Sequence, residues 1–413
     1  MKILVCNSGS SSLKFSLVEA EQELTLAEGS IDWTTRPTRL VFRRPGQPEI
    51  REELHLHEHT DALARILADL QAGPSAPLQG IQDIDAVGHR VVHGGKRFTE
   101  AVRITPEVKC AISELSELAP LHNPASLRGI QAIEQALPWV PQIGVFDTAF
   151  HTTLPAAAQT YALPRAWTTA WGIHRYGFHG LSHAYCARRA AEMLGRSGSR
   201  LVIAHLGNGA SVSAVRNGVC MDTSMGFTPM EGAIMGTRSG SLDPGVLLYL
   251  LRRKGLTVEQ LDYALNHESG LLGVSGISSD MRQILKEAPN SADARLALEV
   301  YIHRLVQTIG AMAATLGGVD GLVFTAGVGE NSAQVRELIC ENLGHLGLEL
   351  DTTANARSKP DADVARHGAP GRILVIATRE DLTIVRETTR LIRSEGGTEN
   401  IPPRQLTATT KTV

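Results

Sequence analysis

The sequence predicts an α/β protein with two similar halves, and three observations support this fold class. The chain has 413 residues and is 43% hydrophobic, so it can bury a large core. A chain of this length favours about two or three domains. Short strand-like runs alternate with helical patterns along the chain. In addition, one strand–turn–strand unit near the start of the chain occurs again near its middle.

Seven apolar runs, each bounded by polar or turn-forming residues, predict strands. In chain order they are 2–6, 13–19, 84–92, 142–146, 200–204, 321–325 and 372–377. Helical periodicity follows Thr60, a candidate N-cap, and a similar pattern follows Asn331 and Ser332. The nearly continuous apolar stretch 294–316 predicts a buried helix. The polar, Pro- and Gly-bearing segments 43–59 and 395–413 predict an exposed excursion and a loose C-terminal tail.

The repeated unit suggests an internal duplication. Residues 3–18 align without gaps against residues 201–216, an offset of 198 residues, although few residues are identical. Each segment reads as a strand, a turn containing Gly9 or Gly207, and a second strand. Chance similarity between two common hairpins is the alternative explanation. Two such hairpins facing a cleft would present backbone N–H groups to the phosphates of a nucleotide.

Composition excludes several classes of protein. Lys and Arg total 40 against 43 Asp and Glu, and the net charge of −3 gives no overall attraction to nucleic acid or to an anionic membrane. The five cysteines are scattered and form no CxxC pair, which argues against a disulfide framework and favours a reducing cytoplasm. The apolar start, residues 3–6, is too short for a signal peptide, and we expect no membrane span.

Two loops have the composition of phosphate-binding turns. Residues 7–14 read NSGSSSLK directly behind a predicted strand, which fits either a tight turn or a loop that binds a polyanion. Residues 324–332, FTAGVGENS, form a Gly-rich link between a predicted strand and a predicted helix, a weak signal by itself. The Walker signature is absent, which disfavours a Walker-type NTPase.

Several charged residues interrupt apolar patterns. Arg90 lies in a predicted strand and needs an anionic partner, either a substrate or an ordinary salt bridge. Asp147 follows a strand directly, where α/β folds expose functional groups, although a helix N-cap is equally consistent. His179 and His183 are spaced i, i+4, but no third ligand supports a zinc site. Arg238 lies in a Gly/Ser loop that is too flexible to be core.

Ten motifs together resemble the acetate kinase family over about 390 residues and in that family's order. They are NSGSSSLKF, GHRVVHGG, HNP, FDTAFH, RYGFHGLSH, HLGNGASV, DTSMGFTPMEG, GTRSGSLDPG, SGISSDMR and AGVGENS. The resemblance implies reversible transfer of the γ-phosphoryl of ATP to acetate with Mg²⁺ or Mn²⁺, giving acetyl phosphate and ADP. It also implies a cytoplasmic homodimer.

The resemblance further implies a fold shared with sugar kinases, Hsc70 and actin. This fold has two actin-like, ribonuclease H-like domains of duplicated βββαβαβα topology around a nucleotide cleft. Residues 1–149 with 380–413 would form the acyl-side domain, and 150–379 the nucleotide-binding domain.

Site roles follow from the same resemblance. Asn7 and Glu380 match the metal positions, and Asp147, His179, Arg238 and Arg90 the catalytic ones. The acyl-pocket and substrate positions are Arg90, Val92, Leu121, His122, Phe178 and Pro229. The nucleotide positions are Ser10, Ser12, Lys14, His205, Leu206, Gly207, Asn208, Gly209, Asp280, Met281, Arg282, Gly327, Val328, Gly329, Glu330 and Asn331. The chain departs from the family at Arg379 and Asp381, where relatives commonly have Asn and Glu, and Met281 stands where an aromatic residue is also found.

Two alternatives share many of these features. A propionate or butyrate kinase would differ only in the size of its acyl pocket. An actin- or Hsc70-like ATPase would hydrolyse ATP without a small acceptor, and the pair Arg90 and Arg238 favours an acceptor carboxylate over water.

Overall fold

The computed structural model describes residues 1–34, 36–56, 58–120, 122–196 and 198–396. These residues form two β-sheets and the helices that cover them. The first sheet contains β1 (Lys2–Ser8), β2 (Ser12–Glu19), β3 (Leu24–Asp32), β4 (Thr38–Arg43), β5 (Ile50–Leu54), β6 (Ala86–Val91), β7 (Val102–Arg103) and β8 (Gln142–Phe146). The second contains β9 (Arg200–Leu206), β10 (Ala210–Arg216), β11 (Val219–Thr223), β12 (Gly321–Thr325), β13 (Ala362–Asp363) and β14 (Arg372–Val375).

Fifteen α-helices occur in the described part of the chain, joined in places by short 3₁₀ and π segments. They are α1 (His59–Gln71), α2 (Pro106–Glu114), α3 (Asn123–Ala136), α4 (Ala156–Gln159), α5 (Arg165–Trp171), α6 (Gly180–Leu194), α7 (Pro244–Tyr249), α8 (Val258–Tyr263), α9 (Gly270–Ser275), α10 (Met281–Glu287), α11 (Ala292–Leu316), α12 (Ala326–Asn331), α13 (Ala333–Cys340), α14 (Thr352–Arg357) and α15 (Glu380–Gly396). None of these described helices is both long enough and apolar enough to cross a membrane.

The two sheets share one topology. Their strand orders are β5-β4-β3-β2-β1-β6-β8-β7 and β11-β10-β9-β12-β14-β13. In each sheet a run of antiparallel strands, β1 to β5 or β9 to β11, is followed beside its first strand by two parallel strands, β6 and β8 or β12 and β14. A short antiparallel strand, β7 or β13, ends each sheet. Strands β1 and β9 start and end 198 residues apart, so the structure confirms the predicted duplication.

Two helices lie between the sheets. Helix α15 packs against β1, β6 and β8, helix α6 packs against β9 and β12, and the two helices contact each other. One apolar cluster therefore extends from Ile3 in the first sheet through Ile384 and Cys186 to Ile203 in the second. This packing is consistent with assigning α15 to the first domain, and the boundaries at 149/150 and 379/380 stay predictions.

The outer face of each sheet is covered by a separate set of helices. Leu63 and Ile66 of α1 and Ile133 of α3 pack with Leu4 and other side chains of the first sheet. Helices α9, α10, α11 and α13 form the largest apolar cluster with the second sheet. Each sheet is thus buried on both faces, which explains the continuous apolar runs that predicted its central strands.

Several local expectations differ from the structure. The segment 43–59 is exposed, as expected, but it contains the edge strand β5. Helix α1 begins one residue before Thr60, and Glu58 occupies the N-cap without a side-chain hydrogen bond, so the Thr60 cap prediction was wrong. Ser332 does cap α13 by accepting the Val335 N–H at 3.3 Å. The tail prediction for 395–413 falls largely on residues 397–413, outside the described part.

Candidate active site

Asp147 lies directly after β8 and connects three elements. Its side chain is 1% exposed. One carboxylate oxygen accepts the Arg90 Nη2–H at 2.9 Å and the backbone N–H of His179 at 3.0 Å, and the other oxygen accepts the Leu181 N–H at 3.3 Å. The residue thus anchors the start of α6 and also forms the salt bridge considered for Arg90. The salt bridge considered for Arg90 is therefore present, whereas the N-cap alternative for Asp147 was wrong, because Thr148 occupies the N-cap of the short 3₁₀ segment that follows β8.

Arg90, near the end of β6, lies between two carboxylates. Beyond its bond to Asp147, its Nε is 3.6 Å from a Glu380 carboxylate oxygen. That Nε is buried and makes no hydrogen bond to any described residue. The guanidinium therefore has N–H groups that are free to bind a further anion in addition to Asp147. A purely structural salt bridge would not need them.

His179 has a left-handed backbone, with φ of 57°, held by the Asp147 carboxylate. Its ring stacks on His205, with 4.1 Å between ring centroids, and its Nδ1 lies 2.9 Å from Ser211 Oγ. Burial lowers the pKa of His179 well below its usual value, and the neighbouring imidazoles and guanidiniums lower it further. The ring is therefore neutral at pH 7.

Arg238 reaches the same place from the loop after β11. Its Nη1 donates to the Pro229 carbonyl at 2.8 Å. A Cβ built on Gly209 would lie 3.5 Å from the Arg238 nitrogens and 3.4 Å from His179 Cε1, so the hairpin tip, the guanidinium and the imidazole meet. Burial lowers the pKa of His122, and both Arg90 and Arg238 lower it further. The two arginines and two histidines thus form one cluster of donors.

The apolar positions proposed for the acyl group are only partly described. Val92 and Phe178 are buried in one apolar cluster, at 9% and 2% exposure. Pro229 is joined to this region through its carbonyl bond to Arg238. Leu121 lies outside the described residues.

A cavity of about 470 Å³ adjoins this cluster and contains the expected metal positions. Asn7, Lys14, Arg90 and Glu380 all line it. Burial raises the pKa of Glu380, and the Asp147 carboxylate raises it further, whereas Arg90 and Lys14 oppose the shift. No group of three or more His, Cys, Asp or Glu side chains in the described part of the chain could hold a metal ion. A bound ion would take most of its ligands from phosphates and water, as Mg²⁺ usually does.

The residues near these metal positions differ in their hydrogen bonds and in the cavity that they line. Arg379 forms two hydrogen bonds with Asp381, both of 2.9 Å, so the two positions expected to differ from the family pair with each other. Ser10 is exposed at the tip of the β1–β2 hairpin and lines a different cavity, of about 1020 Å³. Ser12 begins β2, and its carbonyl accepts the Gly9 N–H at 2.7 Å.

The three expected nucleotide stretches converge beside the second sheet. The Asn208 carbonyl accepts the Gly236 N–H at 3.0 Å. A Cβ on Gly236 would lie 3.1 Å from the Ser279 carbonyl oxygen, and one on Gly207 would lie 3.7 Å from Ala326 Cβ. The turn 205–209, the start of α10 and the start of α12 are therefore neighbours.

The side chains in these stretches differ in their solvent exposure and in whether they already bond other protein groups. Met281 is 4% exposed and belongs to the core, whereas the Arg282 side chain is 91% exposed and pairs with Asp280. Glu330 Oε1 accepts the Ala326 N–H at 2.9 Å and the Thr378 N–H at 2.8 Å, which ties α12 to the strand end before α15. The Glu330 carboxylate is thus already engaged within the protein.

Sequence reasoning missed three hydroxyl residues. Ser211 contacts His179 and also His183, with 2.7 Å between Ser211 Oγ and His183 Nε2. Ser182 Oγ lies 2.8 Å from His205 Nδ1, and Thr378 is bonded to Glu330. The one available signal was the alternation of serine with apolar residues in ASVSAV, residues 210–215, which places two serines on one face of a buried strand.

Comparisons with known proteins agree with this geometry. The sequence profile described as the Acetokinase family matches residues 2–386. A protein named acetate kinase from Gloeobacter violaceus is 50% identical over 411 residues, covering 95% of this chain and 100% of the relative. The relative of the same name from Acaryochloris marina is 50% identical over 391 residues, covering 93% and 98%.

Solved structures agree as well. The crystal structure of Porphyromonas gingivalis acetate kinase matches with a TM-score of 0.88 and 42% identity, covering 95% of this chain and 99% of that one. A propionate kinase from Francisella tularensis matches with a TM-score of 0.88 and 38% identity, covering 94% and 99%. The site geometry, the duplicated actin-like fold and these matches together establish that the chain belongs to the acetokinase family.

Proposed function

We propose that this protein transfers the γ-phosphoryl group of ATP to acetate, reversibly, giving acetyl phosphate and ADP. An oxygen of the acetate carboxylate forms the new bond to phosphorus while the bond from phosphorus to the β–γ bridging oxygen breaks, and ADP leaves with that oxygen. The observation that carries the proposal is that Arg90 and Arg238 both lie near His122 and His179, so that the four side chains form one cluster beside the buried apolar side chains Val92 and Phe178.

The chemistry of phosphoryl transfer fits such a cluster. The transition state spreads negative charge over the three equatorial oxygens, and catalysis depends on positioning and charge neutralisation. In our proposal Arg90 and Arg238 orient the acetate carboxylate and bind the equatorial oxygens, and His179 donates a hydrogen bond to the same group. Val92, Phe178 and Pro229, with Leu121, would enclose the methyl group.

Asp147 acts in this proposal as a positioning residue. Acetate is already ionised near neutral pH, so the reaction needs no general base to deprotonate it. The Asp147 carboxylate instead holds Arg90 and the left-handed backbone of His179. Removing it would displace two groups that contact the transferring phosphoryl.

The described residues fit a divalent cation. Glu380 is a partly buried carboxylate whose pKa is raised first by burial and further by Asp147, and a cation in the same cavity would favour its ionised form. We infer that Asn7 and Glu380 would hold Mg²⁺ or Mn²⁺ together with the nucleotide phosphates. When bound, the ion would neutralise phosphate charge. Lys14 would contact a phosphate, with Ser12 two residues away in the same strand. Ser10, which lines a different cavity, would reach the phosphates only from the hairpin tip.

The second sheet supplies the nucleotide side of the proposal. Backbone groups of 205–209 and 327–331, with Asp280 and Arg282, would contact ATP. Arg282 is exposed enough to reach a ligand, whereas Met281 could support the base only from within the core. We assign this role to residues 150–379 and the acyl side to residues 1–149 with 380–413.

The deciding experiment is a hydroxamate assay for acyl phosphate, run with ATP and either acetate, propionate or no acid. Acyl phosphate formation that depends on acetate supports the proposal. ADP release that does not depend on any acid would instead indicate an ATPase. A higher kcat/KM with propionate would indicate a propionate kinase, the name carried by one of the structural relatives.

We further infer a homodimer in a reducing cytoplasm. All five cysteines are free thiols, and Cys110 is exposed, as a reducing compartment permits. Exposed apolar side chains are concentrated at Val246, Leu248, Tyr249, Val258 and Tyr263, on and around α7 and α8. Such a patch suits a second copy of the chain. Light scattering after size-exclusion chromatography measures the mass directly, and a monomer at micromolar concentration would contradict the inference.

A further inference from the structure

Ser211 lies in β10, is fully buried, and places its hydroxyl between two imidazoles. Its Oγ is 2.9 Å from His179 Nδ1 and 2.7 Å from His183 Nε2. A serine hydroxyl carries one hydrogen, so it can donate to only one of these nitrogens. The direction of the two hydrogen bonds therefore determines which ring nitrogen of each histidine carries a proton.

His183 fixes the first direction. Its Nδ1 is buried and has no hydrogen-bond partner among the described residues. A buried N–H without an acceptor costs about 1–3 kcal/mol, and such groups are rarer in proteins than under-used acceptors. The proton of neutral His183 therefore belongs on Nε2, where it donates to Ser211 Oγ.

The second direction follows from the first. With Ser211 Oγ accepting from His183, the hydroxyl hydrogen donates to His179 Nδ1, and the proton of neutral His179 lies on Nε2. If His183 were protonated on Nδ1, that N–H would have no acceptor. If both rings donated to Ser211, the hydroxyl hydrogen would have none. Only the order His183 to Ser211 to His179 pairs every hydrogen in the chain of bonds.

We propose that Ser211 and His183 are positioning residues that set the tautomer of His179, so that Nε2–H is the donor presented to the transferring phosphoryl group. The opposite tautomer would present a lone pair to phosphoryl oxygens and repel them. This inference rests on the proposed function for its consequence in catalysis, although the tautomer itself does not depend on the acceptor.

The surroundings support the assignment. Burial lowers the pKa values of His179 and His183 well below their usual range, so both rings are neutral and their tautomers matter. Two rings face His183, those of His151 and His205. His151 Nε2 lies 2.9 Å from the Phe178 carbonyl oxygen and must donate to it. A Cβ built on Gly209 would lie 3.4 Å from His179 Cε1 and 3.5 Å from the Arg238 nitrogens, so the imidazole and the guanidinium lie at the same hairpin tip. Because Nδ1 is bonded to Ser211, Nε2 is the ring nitrogen left to act toward the cluster.

A neutron crystal structure of the wild-type protein after deuterium exchange tests the tautomers directly. We expect deuterium on Nε2 of His179 and on Nε2 of His183, and no deuterium on Nδ1 of either ring. Deuterium on Nδ1 of His179 would overturn the proposal. The positions of deuterium test the tautomers whether or not the protein is a kinase. If the wild type makes no acyl phosphate, that result counts against the proposed function and not against the tautomers.

The catalytic consequence needs a matched pair of variants. Ser211→Ala removes the bond that orients His179, and we expect kcat to fall about 10- to 100-fold with little change in either KM, less than the roughly 10²–10³-fold for deleting a donor outright. Ser213→Ala is the control, because Ser213 is equally buried in the same strand but bonds Thr223 at 2.9 Å. Equal kcat values for the two variants would refute a positioning role for Ser211.

Discussion

Removing α15 should destroy both the fold and the site, because this helix closes the first sheet. A chain ending at Thr378 loses Leu382, Ile384 and Val385, which are 5%, 1% and 1% exposed. Burial of each such side chain contributes about 1.5–3 kcal/mol, so roughly 5–9 kcal/mol is lost from these three alone. A whole domain is stable by only about 5–15 kcal/mol. We therefore expect the truncated chain to lack a cooperative unfolding transition.

The assay compares circular dichroism melting curves and acyl hydroxamate formation for three proteins. A chain ending at Gly396 keeps α15 whole and should match the full chain in both measurements. Full-length Glu380→Gln should melt as a folded protein, yet lose kcat if this carboxylate helps to hold the metal. An active, cooperatively melting protein that ends at Thr378 would refute the packing argument and the domain assignment together.

Three further predictions concern the site and its pH dependence. Arg90→Ala and Arg238→Ala should each lower kcat by on the order of 10²-fold or more, and lysine should rescue poorly because it lacks the planar fork. Unchanged kcat with a lower melting temperature would show that the arginines are only structural. Propionate should be poorer than acetate by roughly 10- to 200-fold in kcat/KM, and Val92→Ala should narrow or reverse that ratio in competition kinetics. An unaltered ratio would remove Val92 from the pocket. Burial lowers the pKa of His151 and His205 to about 4, so below about pH 6.5 the unfolded chain binds protons that the folded chain does not. Stability should therefore fall toward acid pH by up to about 1.4 kcal/mol per pH unit for each such histidine, measured by urea unfolding. A urea midpoint that does not change between pH 7 and about 5 would contradict this.

The central strands could be predicted because they carry local signals. The segments that became β1 and β9 are apolar runs ending in Gly-bearing turns, and their register in the duplication was correct to the residue. Strand β5, IREEL, was not predicted because its residues are mostly charged and exposed, as is common for an edge strand. Its pairing depends on β4 rather than on its own composition.

In the site, too, residues with a local sequence signal could be predicted, whereas contacts between residues far apart in the chain could not. Arg90 and Asp147 could be found because a charge interrupts an apolar run, and family motifs supplied their roles. Ser211 could not, because a serine in a strand has many uses and its partner His179 is 32 residues away. The engagement of Glu330 with Thr378 likewise depends on a contact across 48 residues. Such pairings exist only once the second sheet and the helices beside it are assembled.

The position of α15 has a consequence for synthesis on the ribosome. Strands β1, β6 and β8 of the first sheet are complete by Phe146, but the helix that packs against them, α15, is the last element of the described chain. The elements around the second sheet, from α6 to β14, are all complete before α15 emerges. One face of the N-terminal strands therefore stays without its covering helix while the later half of the chain is translated. We therefore expect the first sheet to complete its folding after the second, the reverse of the usual N-terminal-first order, with apolar surface exposed on the nascent chain in the meantime.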